Sequence, residues 1–117
     1  SGVDHNRSLM VQAILEKYGA LKIGDKDIYV SVTAGAVAKE AAVDLAIATS
    51  IISSYYSVPP QDKSIFIGEL SLTGEIRKAR YQDRRIREAK RLGFNVFSSE
   101  TLNNVGDLVR MMKSNMD

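Results

Sequence analysis

Ile65-Phe66-Ile67-Gly68-Glu69-Leu70-Ser71-Leu72-Thr73-Gly74-Glu75-Ile76-Arg77-Lys78 is the stretch on which the reading of this chain turns. Residues 65–72 predict a strand, Thr73-Gly74 a tight turn, and 75–78 the returning arm; the glycine supplies the positive φ that hairpin turns often need. On the N-terminal side lies Val58-Pro59-Pro60-Gln61-Asp62, a loop, because two successive prolines cannot continue a helix. Ahead of it, residues 38–55 predict a helix that is apolar nearly all round, with alanines at 38, 41, 42, 46 and 48 among Leu45, Ile47, Ile51 and Ile52. Such a helix is normally buried between a sheet and another helix.

Farther upstream, Asp4 or Asn6 can cap a first helix running to about Tyr18, with Leu9, Val11, Ala13, Ile14 and Leu15 as its apolar stripe and Gly19 as its C′ residue. Gly24-Asp25-Lys26-Asp27 reads as a polar turn, Ile28-Tyr29-Val30-Ser31-Val32 as a strand, and Ala34-Gly35-Ala36 as a small-residue close to that strand. Downstream, a basic helix over 82–92 ends at Gly93, a short strand follows over 94–97, and residues 101–112 predict an amphipathic helix with Leu102, Val105, Leu108, Val109 and Met112 inward. The order α-β-α-β-β-α-β-α predicts an α/β (α+β) domain, a mixed sheet packed against helices around a central buried helix.

At 117 residues the chain fits one domain, 1–117. It has no cysteine, which excludes disulfides and thiolate metal sites. No metal or other cofactor is expected on it. The longest mostly apolar stretch, 41–52, contains Asp44, Thr49 and Ser50 and is too short to cross a bilayer; no apolar leader opens the chain, so no membrane partner and a cytoplasmic location are expected.

Net charge is only +2, but its distribution is uneven. Between Arg77 and Arg91 stand eight basic residues (Arg77, Lys78, Arg80, Arg84, Arg85, Arg87, Lys90, Arg91) against Asp83 and Glu88, leaving the rest of the chain net acidic. On a helix Arg80, Arg84, Arg87 and Arg91 share one face, with Ile86 and Ala89 toward the core. Such a row can follow a phosphate backbone in a salt-sensitive, sequence-independent way. It can equally be a solvated face partly neutralised by Asp83 and Glu88, or a subunit interface. Only Tyr81 interleaves an aromatic with the arginines, which gives base stacking little support.

The chain resembles a known family. Gly2-Val3-Asp4-His5-Asn6-Arg7, Asp27-Ile28-Tyr29-Val30-Ser31-Val32, Ala41-Ala42-Val43-Asp44-Leu45-Ala46 and above all Ile67 through Arg77 resemble, in order, the C-terminal domain of RadA/Sms-type bacterial DNA-repair ATPases. The likeness runs over about residues 2–94 and is loose after Phe94. The family's domain usually has a further strand ahead of the segment matched by Gly2, which this sequence lacks. That domain is in turn similar to the Lon peptidase domain, so the resemblance implies a Lon-type fold. It also implies a hexameric ring in the parent protein, contact with DNA during recombination and branch migration, and an ATPase motor and zinc finger upstream.

Lon peptidases place a serine in a Gly-Pro-Ser-Ala-Gly turn at the start of the buried helix and a general-base lysine some forty residues later. Carried over, the serine's place falls at Ala42 and the lysine's at Asp83. Alanine has no nucleophile and aspartate cannot act as a neutral amine, so the resemblance implies a degenerate, non-catalytic site. The DNA-contacting residues it leads us to expect are Arg77, Lys78, Arg80, Arg84, Arg85, Arg87 and Arg91.

Two rival readings stand beside this one. One is a pure oligomerisation module without DNA contact. The other is a Ser/His or Ser/Lys peptidase built from Ser50, Ser53 or Ser54, with His5 as the available histidine, although no three-residue constellation can be assembled. Asp44 is read either as an acid or ligand, or as a carboxylate held by the helix N-terminus and backbone donors. No Gly-x-x-x-x-Gly-Lys-Ser/Thr run is present, so ATP binding by this chain is not expected.

Overall fold

The computed structural model describes residues 5–23 and 41–116. The predicted strand 28–32, the turn before it, the small residues 34–36, the first residues of the predicted helix 38–55 and the cap at Asp4 lie outside the described residues. Within them run α1 (His5–Tyr18), a 3₁₀ turn (Ala41–Val43), α2 (Asp44–Tyr56), β1 (Ser64–Phe66), β2 (Glu69–Leu70), β3 (Ile76–Arg77), α3 (Gln82–Arg91), β4 (Asn95–Phe97) and α4 (Val105–Ser114). The fold is a mixed α+β arrangement, as predicted.

α2 is the centre. Leu45, Ile47, Ala48, Ile51 and Ile52 are all buried, and the helix packs on α1, α4, β1 and β2. Ser50 and Ser54 mark its exposed side, so the helix is not apolar all round. It starts later than predicted. Ala41–Val43 form a 3₁₀ turn because Ala42 carbonyl accepts from Gly68 N–H at 3.1 Å, while Leu45 N–H donates to Gly68 carbonyl at 3.1 Å. The chain around Gly68 thus takes hydrogen bonds that a longer α2 would have used internally.

Gly68 also breaks the predicted strand 65–72 in two. β1 pairs in parallel with β4, Ser64 opposite Asn95 and Phe66 opposite Phe97, and Phe66 and Phe97 stack with centroids 5.1 Å apart. Past Ile67 the backbone leaves that partner, and β2 pairs antiparallel with β3 in a second small sheet, Leu70 opposite Ile76. A Cβ at Gly68 would come within 3.2 Å of Ile76 Cγ2 and 3.4 Å of Leu45 Cδ2. The approach of hairpin to helix requires its absence.

The hairpin turn is longer than the predicted two-residue Thr73-Gly74 turn. Ser71 and Glu75 close the ladder through Ser71 N–H to Glu75 carbonyl at 3.0 Å, leaving a three-residue loop with Gly74 left-handed at φ +89°. A three-residue hairpin loop needs a left-handed residue at that last position, and glycine takes it without a Cβ penalty.

In α1, Ser8, Val11, Ile14 and Leu15 are buried, whereas Leu9 is 47% exposed and Ala13 is exposed; these two lie off the packed face. Asn6 sits inside the helix and does not cap it. The left-handed residue beyond the C-terminus is Ala20 (φ +58°), not Gly19. Gly19 serves through space instead, since a Cβ there would sit 2.8 Å from Leu15 carbonyl oxygen.

The last helix begins at Val105, four residues later than predicted, because Asn104 is its N-cap: Asn104 Oδ1 accepts Asp107 N–H at 2.9 Å, and Asp107 Oδ2 accepts Asn103 N–H at 2.9 Å. Thr101 belongs to the preceding turn, its hydroxyl accepting from Ser98 N–H at 3.0 Å. Leu102, Val105, Leu108, Val109 and Met112 nevertheless all point inward.

Candidate nucleic-acid interface

α3 is built by a steep division of its surface. Gln82, Ile86 and Ala89 recur at helical spacing and are buried, while Arg84, Arg87 and Arg91 are exposed on the other side. Gly93, left-handed at φ +90°, ends the helix, and Phe94 N–H reaches back to Ala89 carbonyl at 3.0 Å.

Gln82 anchors the first turn, a role the sequence reading missed. Its Oε1 accepts Ala79 N–H at 2.9 Å and its Nε2 donates to Ser99 Oγ at 2.9 Å, with the residue 1% exposed. A buried amide with both ends satisfied fixes the rotation of the helix. No local signal distinguishes this glutamine from a surface one.

The cations divide by partner. Arg91 is bound to Glu88, with Arg91 Nε at 3.1 Å and an NH2 nitrogen at 2.5 Å, and Glu88 is held below the usual carboxylate range by that guanidinium. Lys78 lies 3.4 Å from Asp83 and Arg77 lies 3.8 Å from Glu75. Arg85 is half-buried on the flank. Arg80 lies over the Tyr81 ring, its guanidinium carbon 4.9 Å from the centroid. Arg84, Arg87 and Lys90 are exposed, with no acidic partner among the described residues. The partial neutralisation by Asp83 and Glu88 weighed from sequence is therefore found at Lys78 and Arg91, and Glu75 adds a pair with Arg77. Arg80, Arg84, Arg87 and Lys90 have no carboxylate partner among the described residues.

At the positions compared with a peptidase, Ala42 is buried in the 3₁₀ turn and Asp83 is exposed, its side chain 68% accessible and turned to Lys78. A general-base lysine works by being desolvated; this surface position would not do that. Of the alternative serines, Ser50 Oγ donates to Ala46 carbonyl at 3.0 Å and Ser53 Oγ to Val58 carbonyl at 2.6 Å. A cleft lined by Pro60, Phe66, Phe97 and Met111, among others, has no titratable side chain in its wall. Among the described residues no group of three or more His, Cys, Asp or Glu side chains gathers that could hold a metal ion, and no helix is long and apolar enough to cross a membrane.

Asp44 proves to be a structural hub. It is fully buried; Oδ1 accepts from Arg7 at 2.6 Å and Oδ2 from Leu70 N–H at 3.0 Å. One carboxylate therefore ties α1, α2 and β2 together. Burial pushes its proton affinity above the ordinary aspartate value, while the Leu70 N–H and the Arg7 guanidinium pull it back. Of the two readings of Asp44, the geometry matches the one with backbone donors. Arg7, thirty-seven residues away, was not legible as its partner.

These features define a class: a small α+β module with a hub of buried polar contacts and a cationic helix on its surface. The chain belongs to the family described as subunit ChlI of Mg-chelatase, whose model matches residues 4–99. It is also similar to proteins named DNA repair protein RadA. It is 44% identical over 94 residues to that of Bacillus subtilis (80% of this chain, 20% of the relative). Similarity to that of Streptococcus pneumoniae is 43% over 94 residues (80% and 22%). For Rickettsia typhi it is 41% over 104 residues (89% and 23%). The chain thus spans about a fifth of the length of these relatives. The expected likeness to RadA-type proteins is found, and the family to which the chain belongs carries a different name from the one expected.

Proposed function

We propose that this chain is a non-catalytic, Lon-like scaffold and DNA-binding domain of a RadA-type DNA repair protein, acting beside an ATPase motor elsewhere in that protein. The observation that carries the reading is the group Arg80, Arg84, Arg87 and Lys90 on and beside one helix, free of carboxylate partners among the described residues. Uncompensated guanidinium and ammonium groups on an exposed helix attract phosphate, and relatives named for DNA repair make DNA the natural polyanion. A weak patch of this kind gains avidity when repeated around a hexameric ring. The absent serine at Ala42 and the exposed Asp83 support a scaffold over a peptidase.

Fluorescence anisotropy with a labelled duplex tests the reading. Four phosphate-directed cations give a slope of log K against log salt of about −3 to −4, since each contributes roughly −0.9. Arg84→Glu/Arg87→Glu is expected to weaken binding at least tenfold and to reduce that slope by about 2. Unchanged affinity in that variant, or no binding by the parent at low salt, leaves the oligomerisation module as the better account. Turnover of unfolded casein, or labelling by a serine-reactive phosphonate, would overturn the non-catalytic assignment.

A further inference from the structure

We propose that Tyr81 is a stacking platform for an unpaired base, so that the α3 face engages single-stranded DNA in preference to duplex; this rests on the DNA-binding reading above. The sequence alone gave stacking little support, since one tyrosine among arginines is a common surface residue. Its geometry changes that. Tyr81 has φ +58° and ψ +30°, a left-handed backbone that is uncommon for a bulky residue. The surroundings hold it there: Arg85 N–H donates to Tyr81 carbonyl at 3.0 Å, and Gln82 N–H to Ala79 carbonyl at 3.1 Å. The buried Gln82 amide on Ala79 and Ser99 locks the same turn. A strained conformation that persists only because its neighbours over-determine it invites a functional explanation.

Its consequence is that the ring stands outward. Tyr81 is 58% exposed, the more exposed of the two exposed tyrosines among the described residues. Arg80 orders it, with the guanidinium 4.9 Å from the centroid and a nitrogen 3.1 Å from the phenol oxygen. An ordered, exposed ring with a cation against it resembles the way single-strand binders hold a base, because every base offers a π-face. Beginning one turn later come Arg84 and Arg87, which can meet the phosphates that follow a stacked base. In a duplex the base faces are covered by their neighbours, so the ring would have nothing to stack on. Arginines alone do not discriminate the two forms; the ring supplies the difference.

The test uses this chain with fluorescein-labelled oligo-dT and a duplex of equal length at low salt. Tyr81→Gly is the informative variant, because it removes the ring and relieves the left-handed strain together, so that its thermal midpoint should not fall. The expected result is a loss of about tenfold in oligo-dT affinity, less than twofold for duplex, and an unchanged salt slope. Tyr81→Phe should stay within about twofold of the parent on both. Equal losses on both forms, or an unaltered oligo-dT affinity in Tyr81→Gly, would overturn the stacking role while leaving the cationic interface intact. A Tyr81-dependent binding of poly-glutamate equal to that of oligo-dT would also overturn it. Failure of the parent to bind either DNA, or indifference to Arg84→Glu/Arg87→Glu, would instead sink the DNA reading itself.

Discussion

Asp44 shows what a single residue can hold and how little of it is written locally. A carboxylate with no exposure, satisfied by Arg7 and by Leu70 N–H, couples three elements that are far apart in sequence. Removing one partner of a buried pair leaves the other desolvated without compensation, which costs several kcal/mol. Asp44→Ala is therefore expected to lower the unfolding free energy by about 3 kcal/mol in urea titration. Asp44→Asn should cost less, because an amide oxygen can still accept the Leu70 N–H. Equal stability of Asp44→Ala and the parent would remove Asp44 from the architecture. Glycines tell the same story: among the described residues Gly68 and Gly19 are needed for close approach, and Gly74 and Gly93 for a left-handed backbone.

Elements were legible where their pattern was periodic. α3 and its Gly93 terminus follow from Ile86 and Ala89 lying opposite the arginine face and from a glycine that can take positive φ. α4 kept its predicted inward residues but not its start, because Asn104 caps the helix and it begins at Val105, four residues after Thr101. Losing that side chain strands the Asp107 N–H, and Asn104→Ala is expected to cost about 1 kcal/mol. Chemical denaturation checks this, and Asn104→Ser, which keeps a capping oxygen, should restore most of the loss. The strand over 65–72 failed as one unit, since nothing in its apolar run reveals that Gly68 exchanges β4 for α2 as its partner.

Across the whole molecule the carboxylates pull stability in opposite directions with pH. Asp44 binds its proton more tightly folded than unfolded, so its contribution is present below about pH 4 and is lost as pH rises through its raised value. Glu75, Glu88 and Asp107 are held below their ordinary range by hydrogen bonds from Thr73, Arg91 and Asn103 N–H. Their contributions are present above about pH 4 and vanish below it. Glu75 and Glu88 are solvent-exposed, so their share is small. The urea midpoint should thus hold or rise on acidification from neutrality and then fall below about pH 4. Asp44→Asn should lose the first limb and keep the second. Identical profiles for the two proteins would contradict the assignment.

By itself the sequence determined the α+β character, the buried central helix and the basic helix with its outward arginines. Each of these depends on local composition or on the period of apolar residues. The tertiary structure alone decided which cations keep a carboxylate, that Asp44 meets Arg7, that Gln82 is buried, and that Tyr81 faces outward. The Asp44–Arg7 and Gln82–Ser99 contacts join segments distant in sequence, where packing sets the pairing. The ion pairs of Arg77, Lys78 and Arg91 and the turn at Tyr81 are local, and the folded backbone selects them among several close neighbours.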